Sequence, residues 1–366
     1  MADRRTLILS YALGTGHKRV GDILSRQLAA LGHQCDHFPL EQWVPWDYDL
    51  LFRRGYLFLV LRLPSLWDAM YASPRFVKRG ALALPVMRRR VVKRFEARGL
   101  ADYDVVVATQ YNAMEVAADC KRAIGGDFKL AVIITDYDIY PLWARHEVDL
   151  YLVPHEDLKA KLAGLGVAPE RIVATGLPIS ADFEKEWDGG AARAALGLDL
   201  EKPTAMVFGG GSGLGPMEET ARACLSVDQW QVIVVCGNNG GLLKRLTAVA
   251  RNHPERLRVL GYRSDIPALI AASDALVTKG GGLSLTEALY AGIPTVVVPG
   301  MPGQERANIE FMADRGWIDV CTRPEELPAA LYRTLDGGRS LSVLPPSPAR
   351  SATEAIDALC RAETTA

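Results

Sequence analysis

The densest chemistry in this chain sits between Lys279 and Asn308, KGGGLSLTEALYAGIPTVVVPGMPGQERAN. Gly280, Gly281 and Gly282 follow the apolar run Ala275-Leu276-Val277, and an amphipathic helix is expected to open at Ser284. A second apolar run, Thr295 to Val298, leads into a polar loop from Pro299 to Glu305. Strand, glycine turn, helix, strand is the arrangement that aims backbone amides and a helix N-terminus at an anion. Glu287 follows Ser284 by three residues, the spacing of a capping box. The same carboxylate could instead accept both hydroxyls of a ribose, and the second reading is favoured because a further glycine loop lies in the same half of the chain. That loop, GGGSGLG at 209–215, lacks the Lys-Ser/Thr of a phosphate-hydrolysing loop. Its glycines let the backbone approach a ligand closely. Gly281, Gly282 and Ser284 would face a diphosphate, with Lys279 assisting or merely solvated. Gln304 and Glu305 offer two acceptors and a donor for sugar hydroxyls. Together these residues describe a site for a nucleotide diphosphate-sugar.

A second group lies near the N-terminus. Leu7 to Ser10 reads as a buried strand, YALGTG as a turn, and His17 as the start of a helix to about Leu31. Gly14 and Gly16 suggest a dinucleotide fingerprint, but its third glycine would fall at position 19, which is Arg19. The loop is better read as presenting His17, whose ordinary pKa is near neutrality, as a general base at a helix N-terminus. Asp136, with Tyr137 after it, is placed at the C-terminal end of a strand, where open α/β sheets bind ligands. Asp136 and Asp138 form a weak cation motif. The histidines are dispersed, so no metal site is expected, and no motif assembles a Ser-His-Asp triad.

The elements that must position these groups alternate. Strands are expected at Leu7–Ser10, Cys35–Phe38, Val105–Thr109, Leu130–Thr135, Asp149–Val153 and Ile172–Gly176, with helices over 112–123 and 155–165. A second series has strands at Ala205–Phe208, Trp230–Cys236, Arg258–Gly261, Ala275–Val277 and Thr295–Val298. This is a doubly wound, mostly parallel α/β architecture. The 366 residues suit two domains: 1–178, a linker at 179–203, and 204–345. A last helix at 346–366 is expected to dock back on the first domain. With 42 basic and 43 acidic residues the net charge is −1, which disfavours a wholesale nucleic-acid binder. The six scattered cysteines suggest reduced thiols in a cytosolic protein, with no signal peptide or spanning run.

One segment differs. Trp43, Trp46, Tyr48, Phe52, Tyr56, Phe58 and Trp67 crowd the stretch from Pro39 to Pro74, and Arg88-Arg89-Arg90 and Lys93-Arg94 follow. The residues fit a core helix with a solvated basic helix, or an interfacial surface for an anionic bilayer.

Four segments, YALGTGHKRV at 11–20, the stretch 134–179, FGGGSGLGPMEETAR with VVCGNN at 208–239, and GYRSDIPALIAASDALVTKGGGLSLTEAL with PGQERAN at 261–308, carry a resemblance. They are similar to the monogalactosyl- and glucosyl-diacylglycerol synthases, glycosyltransferase family 28-like enzymes related to the lipid-linked N-acetylglucosamine transferase of peptidoglycan assembly. The resemblance implies the GT-B fold, two facing Rossmann-like domains. It implies metal-independent, inverting transfer from a UDP-hexose, a co-substrate and the only small molecule required, to a lipid acceptor at an anionic membrane surface, on the inner face of the cell membrane. By the same resemblance Gly210, Gly211, Ser212, Gly213 and Gly281, Gly282, Leu283, Ser284 contact the diphosphate and Glu287 the ribose, with Thr286 and Lys279 among the donor-binding residues. Gln304 and Glu305 hold the sugar, Asn308 supports their loop, and Tyr262-Arg263 lies at the uracil. His17 becomes the catalytic candidate, with Gly14, Gly16, Asp136 and Tyr137 on the acceptor side; Asp36, Asp47, Asp49 and Asp136 remain open as its acidic assistant. A polyprenyl or soluble acceptor, or a non-catalytic UDP-sugar sensor, would share the donor residues. The residues leave the hexose and the oligomeric state open.

Overall fold

The computed structural model describes residues 4–11, 14–63, 65–67, 85–300, 303–336 and 348–361. Ala12 and Leu13 of the first glycine loop, Pro74, Met301-Pro302 and Pro345-Pro346 lie outside them, as do the side chains of Tyr56, Leu57, Leu61 and Arg88. The chain divides into two compact units, one of residues 1–180 and 345–366, the other of 181–344.

In the first unit the order is β1 (Arg4–Ser10), α1 (Thr15–Ala30), β2 (His33–Pro39), α2 (Trp46–Asp49), α3 (Gly55–Arg62), α4 (Pro85–Glu96), β3 (Val105–Ala108), α5 (Tyr111–Ile124), β4 (Lys129–Ile133), β5 (Leu150–Val153), α6 (Asp157–Ala163) and β6 (Ile172–Ala174). The strands form one parallel sheet ordered β2-β1-β3-β4-β5-β6. Runs such as Val105-Val106-Val107-Ala108 are buried throughout, as strands covered on both faces by helices must be. The chain leaves β1 on one side through β2 and returns on the other through β3, so the strand order reverses between β1 and β3. Ligands of open α/β sheets sit beyond the strand ends at such a reversal.

The second unit continues with α7 (Gly189–Ala195), β7 (Thr204–Phe208), α8 (Met217–Leu225), β8 (Gln231–Val235), α9 (Gly240–Ala250), β9 (Leu257–Leu260), α10 (Ile266–Ala271), β10 (Ala275–Thr278), α11 (Gly282–Ala291), β11 (Thr295–Val297), α12 (Gln304–Ala313), β12 (Asp319–Val320) and α13 (Leu327–Asp336). Its parallel sheet runs β12-β11-β10-β7-β8-β9 and reverses between β7 and β10. Thr278 donates to the Phe208 carbonyl at 2.7 Å and ties those two strand ends together. The residues expected as a linker pack into this unit instead. Arg193 on α7 donates to Asp274 and to the Ala272 carbonyl, both at 2.8 Å, and a side chain at Gly189 would strike the Ala271 carbonyl.

Two boundaries near the donor residues differ from expectation. α11 opens at Gly282, with Gly281 as an N-cap that offers no side chain, so Ser284 is the third helical residue and no Ser284–Glu287 capping box forms. The helix is buried on almost every side and is not amphipathic. Gln304 and Glu305 are not in a loop; they form the first turn of α12. Gly-rich and Pro-Gly sequences read as turns, yet glycine is accepted at a helix start, where the backbone amides have no intrahelical partner.

The last helix, α14 (Pro348–Arg361), packs on α1, β4 and β5. Asp357 is its clasp. It receives Arg4, buried His33 at 3.1 Å and Arg361 at 2.6 Å. Burial opposes its charge, but the bonds from Arg361 and His33 outweigh burial and hold the carboxyl below its ordinary value. A depressed carboxylate stabilises the fold above its unfolded pKa and loses that contribution as pH falls through the folded value. Asp357→Asn is expected to destabilise the first unit by about 3 kcal/mol in neutral urea titrations, with the difference narrowing towards acid. An unchanged midpoint would contradict the clasp.

Candidate active site

His17 lies in the first turn of α1, beside the reversal of the first sheet. Its Nδ1 is 3.0 Å from the Thr109 carbonyl at the end of β3 and 3.0 Å from the Thr135 hydroxyl beyond β4. A carbonyl only accepts, so Nδ1 carries the proton and Nε2 keeps its lone pair. The Thr109 hydroxyl in turn donates to the His17 backbone carbonyl at 3.1 Å, so one residue holds both ends of the histidine. Burial lowers the His17 pKa, opposed by the Asp136 charge and by the Thr109 hydrogen bond. The imidazole is therefore neutral near pH 7 and suited to take a proton at Nε2.

The acidic residues sort themselves. Asp36 accepts from the Tyr103 hydroxyl at 2.7 Å, Asp47 pairs with Arg90 at 2.6 Å, and Asp49 takes a two-pronged bond from Arg53 at 2.6 Å with Tyr11 nearby. Asp136 is the carboxylate whose charge acts on His17. Tyr137 is buried beside it. No motif announces another contact: Ser10 Oγ is 2.8 Å from His37 Nε2, and His37 Nδ1 is 2.8 Å from Asp22. This is the connectivity of a Ser-His-Asp triad, contrary to the expectation that none assembles. Ser10 is the last residue of β1 and only 1% exposed, so the trio staples α1 to β1 and β2. Gly21 makes the staple possible, because a side chain there would strike the His37 ring.

On the second unit, two glycine loops meet at the reversal between β7 and β10. The 209–215 loop is locked from beneath. Gly210 and Gly209 carbonyls accept from the Gly213 and Leu214 amides, and the Gly211 carbonyl accepts from Asn238 at 2.9 Å. Asn239 donates to Gly213 at 3.0 Å. Gly213 has φ +55°, and a Cβ there would lie 2.1 Å from the Cys236 carbonyl. The other loop ends in α11, whose N-terminus has no side-chain cap and no acid in its first turn. Its amides at Gly282, Leu283 and Ser284 and its dipole suit an anion. Lys279 lies between the loops and forms an ion pair with Glu305. Asn308 donates to the Gly280 carbonyl at 3.0 Å and fastens α12 to the same loop.

The remaining residues expected at the donor are dispersed around this core. Glu287 is 1% exposed in the second turn of α11, and Thr286 is buried with its hydroxyl donating to Gly282. Tyr262 is 64% exposed beyond β9, and Arg263 is engaged with Asp265 at 2.7 Å. A cavity of about 430 Å³ opens at this edge, lined by Gly213, Met217, Glu218, Asn239, Arg245 and Gly300; its lining includes neither Glu287 nor Tyr262.

Between β2 and β3 the chain presents an apolar face. α2 and α3 are joined by a π-helical turn, Leu50–Arg54. Tyr48 and Val60 are buried, whereas Trp46 is 74% and Phe58 59% exposed, with Leu50, Leu51, Leu63 and Leu66 also exposed. On α4, Val91 and Phe95 turn inward, Phe95 against Trp43 at 4.9 Å, leaving Arg89, Arg90, Lys93 and Arg94 outward. No described helix is long and apolar enough to cross a membrane. Cys35, Cys120, Cys224, Cys236 and Cys321 are free thiols.

Comparison with known proteins agrees with this layout. The family profile described as monogalactosyldiacylglycerol (MGDG) synthase matches residues 44–179, and that of glycosyl transferases group 1 matches 221–343. The chain is 32% identical to the processive diacylglycerol beta-glucosyltransferase of Bacillus licheniformis over 338 residues, 89% of this chain and 85% of the relative. The protein of that name from Bacillus pumilus is 31% identical over 335 residues, with the same coverage. Among solved structures, MurG of Acinetobacter baumannii superposes with a TM-score of 0.58 at 17% identity over 98% of this chain and 99% of that one. TcCGT1 in complex with UDP gives 0.62 at 13% over 99% and 100%. Such likenesses establish the fold, which is GT-B.

Gly213→Ala forces a side chain onto backbone at a left-handed position. It is expected to lower stability by at least ~2 kcal/mol, whereas Gly240→Ala, where the space is open, stays within about 1 kcal/mol of the parent. Thermal unfolding of the two variants measures this; equal losses would mean that the locked loop is not under the constraint described.

Proposed function

Since the chain belongs to the family of MGDG synthases and processive diacylglycerol glucosyltransferases, and is a glycosyltransferase of glycolipid synthesis, we propose that it moves a hexose from UDP-glucose or UDP-galactose to diacylglycerol or a related membrane lipid, with inversion and without a metal. The observation that carries the mechanism is the Thr109 carbonyl on His17 Nδ1. It leaves Nε2 to take the proton of the acceptor hydroxyl. The acceptor oxygen then attacks the anomeric carbon, the bond from that carbon to the diphosphate breaks, and the diphosphate departs with the electron pair. Attack from the side opposite the leaving group inverts the centre. The α11 amides and helix dipole stabilise the charge that develops on the diphosphate. Glu287 would meet the ribose, Tyr262-Arg263 the base, and Gln304 with Glu305 the sugar. A relative named for diacylglycerol and a fold neighbour solved with UDP support this assignment of donor and acceptor.

Incubation with each UDP-hexose and a mixed lipid extract, in the presence of EDTA, is expected to yield one dominant glycosyl-diacylglycerol. His17→Ala should bind UDP as the parent does and lose transfer by about 10²- to 10⁴-fold. Formation of a polyprenyl glycoside, or of no glycolipid, would redirect or overturn the reading. The acid limb of kcat/KM is expected below the ordinary histidine range. Asp136→Asn should move it lower still, because the Asp136 charge raises the His17 pKa; an upward move contradicts the assignment.

We also propose that the exposed Trp46, Leu51 and Phe58, together with the outward Arg89, Lys93 and Arg94 of α4, rest on an anionic bilayer on its inner, cytoplasmic side. Apolar side chains ringed by arginine and lysine suit the headgroup boundary. In co-sedimentation, the protein is expected with phosphatidylglycerol vesicles and not with phosphatidylcholine, and Trp46→Ser/Phe58→Ser should leave it in the supernatant. Unchanged sedimentation of the double variant would place the contact elsewhere.

A further inference from the structure

The setting of Lys279 is unusual for a lysine. Its stem runs through a channel of glycines from separate segments. A Cβ at Gly300 would lie 3.5 Å from the Lys279 Cβ, and one at Gly215 3.9 Å. Further out, a Cβ at Gly210 would lie 3.9 Å from Cε, and one at Gly281 only 3.2 Å from Nζ. The ammonium therefore occupies room left by the missing side chain of Gly281, the residue immediately before the uncapped amides of α11. Its partner there is Glu305, on the first turn of α12, and both side chains are largely withdrawn from water. The lysine thus spans two places with opposite demands: an anion-binding helix start, and a carboxylate assigned to a sugar.

We propose that Lys279 is a switch that makes the sugar-binding carboxylate of Glu305 available only when a diphosphate is present. In this structure the ammonium engages Glu305. A diphosphate on the amides of Gly282 to Ser284 competes for that ammonium. A lysine is a point charge on a flexible stem and can be recruited without the fixed geometry an arginine requires. As the ammonium turns to the diphosphate, Glu305 is freed to accept from sugar hydroxyls. A free hexose meets Glu305 still engaged, so the site selects a sugar attached to a nucleotide over the sugar alone. This inference rests on the donor assignment above and adds its order of events.

The test is a double-mutant cycle on binding of UDP, which carries the diphosphate and no sugar, read by calorimetry. Glu305→Gln removes the competing charge with little change of shape and is expected to tighten UDP about tenfold, a coupling of ordinary size for linked sites. Lys279→Gln is expected to weaken UDP. In the double variant, which strands no buried charge, the affinity should equal that of Lys279→Gln, because the gain from Glu305→Gln requires the lysine. The same gain with and without Lys279 would mean simple relief of charge repulsion and would overturn the switch. So would the absence of any gain in Glu305→Gln while the parent binds UDP, and in that case the donor assignment would stand. A parent protein that binds neither UDP nor inorganic pyrophosphate would overturn both.

Discussion

The Thr109 carbonyl accepts from His17 Nδ1 at 3.0 Å while the Thr109 hydroxyl donates back to the His17 carbonyl. The role proposed for His17 depends on that exchange. A histidine on a glycine loop has two tautomers and several rotamers open to it. Here the acceptor-only carbonyl selects the tautomer, and β3 and β1, paired in register up to Ala108 and Leu9, fix where the carbonyl lies. The Ser10–His37–Asp22 staple ties the middle of α1 to β1 and β2. The sheet thus acts as a jig, and the setting of His17, the base proposed here, is a property of three strand ends rather than of its loop.

The second unit solves a related problem with backbone alone. Interlocked carbonyls fix the 209–215 loop, Asn308 ties α12 to the Lys279–Gly282 turn, and Thr278 ties β10 to β7. An anion site made of amides has to be held without side chains that would fill it, which is why glycine recurs where the two loops approach. In both units the groups proposed for chemistry lie where the strand order reverses, a consequence of helices on opposite faces diverging from that point.

Much of this was legible in the sequence. The β-branched runs that build both sheets stand out, and so do the glycine loops, His17 and the Lys279–Asn308 stretch, because each is a local pattern. What was not legible depends on contacts between distant residues or on ambiguous punctuation. Thr109 and Thr135 are 92 and 118 positions from His17, and although both close expected strands, nothing in the sequence pairs either with the histidine. The same is true of Ser10 and His37. α11 starts two residues before expectation and α12 absorbs Gln304-Glu305, because glycine and Pro-Gly signals mark turns and helix starts alike. The segment 181–203 has linker composition, yet the Arg193–Asp274 pair draws it into the second unit. The composition of residues 43–94 could not separate core from surface. The exposure of Trp46 and Phe58 against the burial of Tyr48 and Val60 does.

The central claim is that His17 is held neutral with its proton on Nδ1. Nitrogen-15 spectroscopy of the imidazole in the folded protein, with His17→Gln to assign the signals, reads this without any assay of transfer. The account predicts a protonated Nδ1 and an unprotonated Nε2 at pH 7, with protonation of Nε2 only below the ordinary histidine range. An Nε2–H tautomer, or an imidazolium at neutral pH, would contradict it.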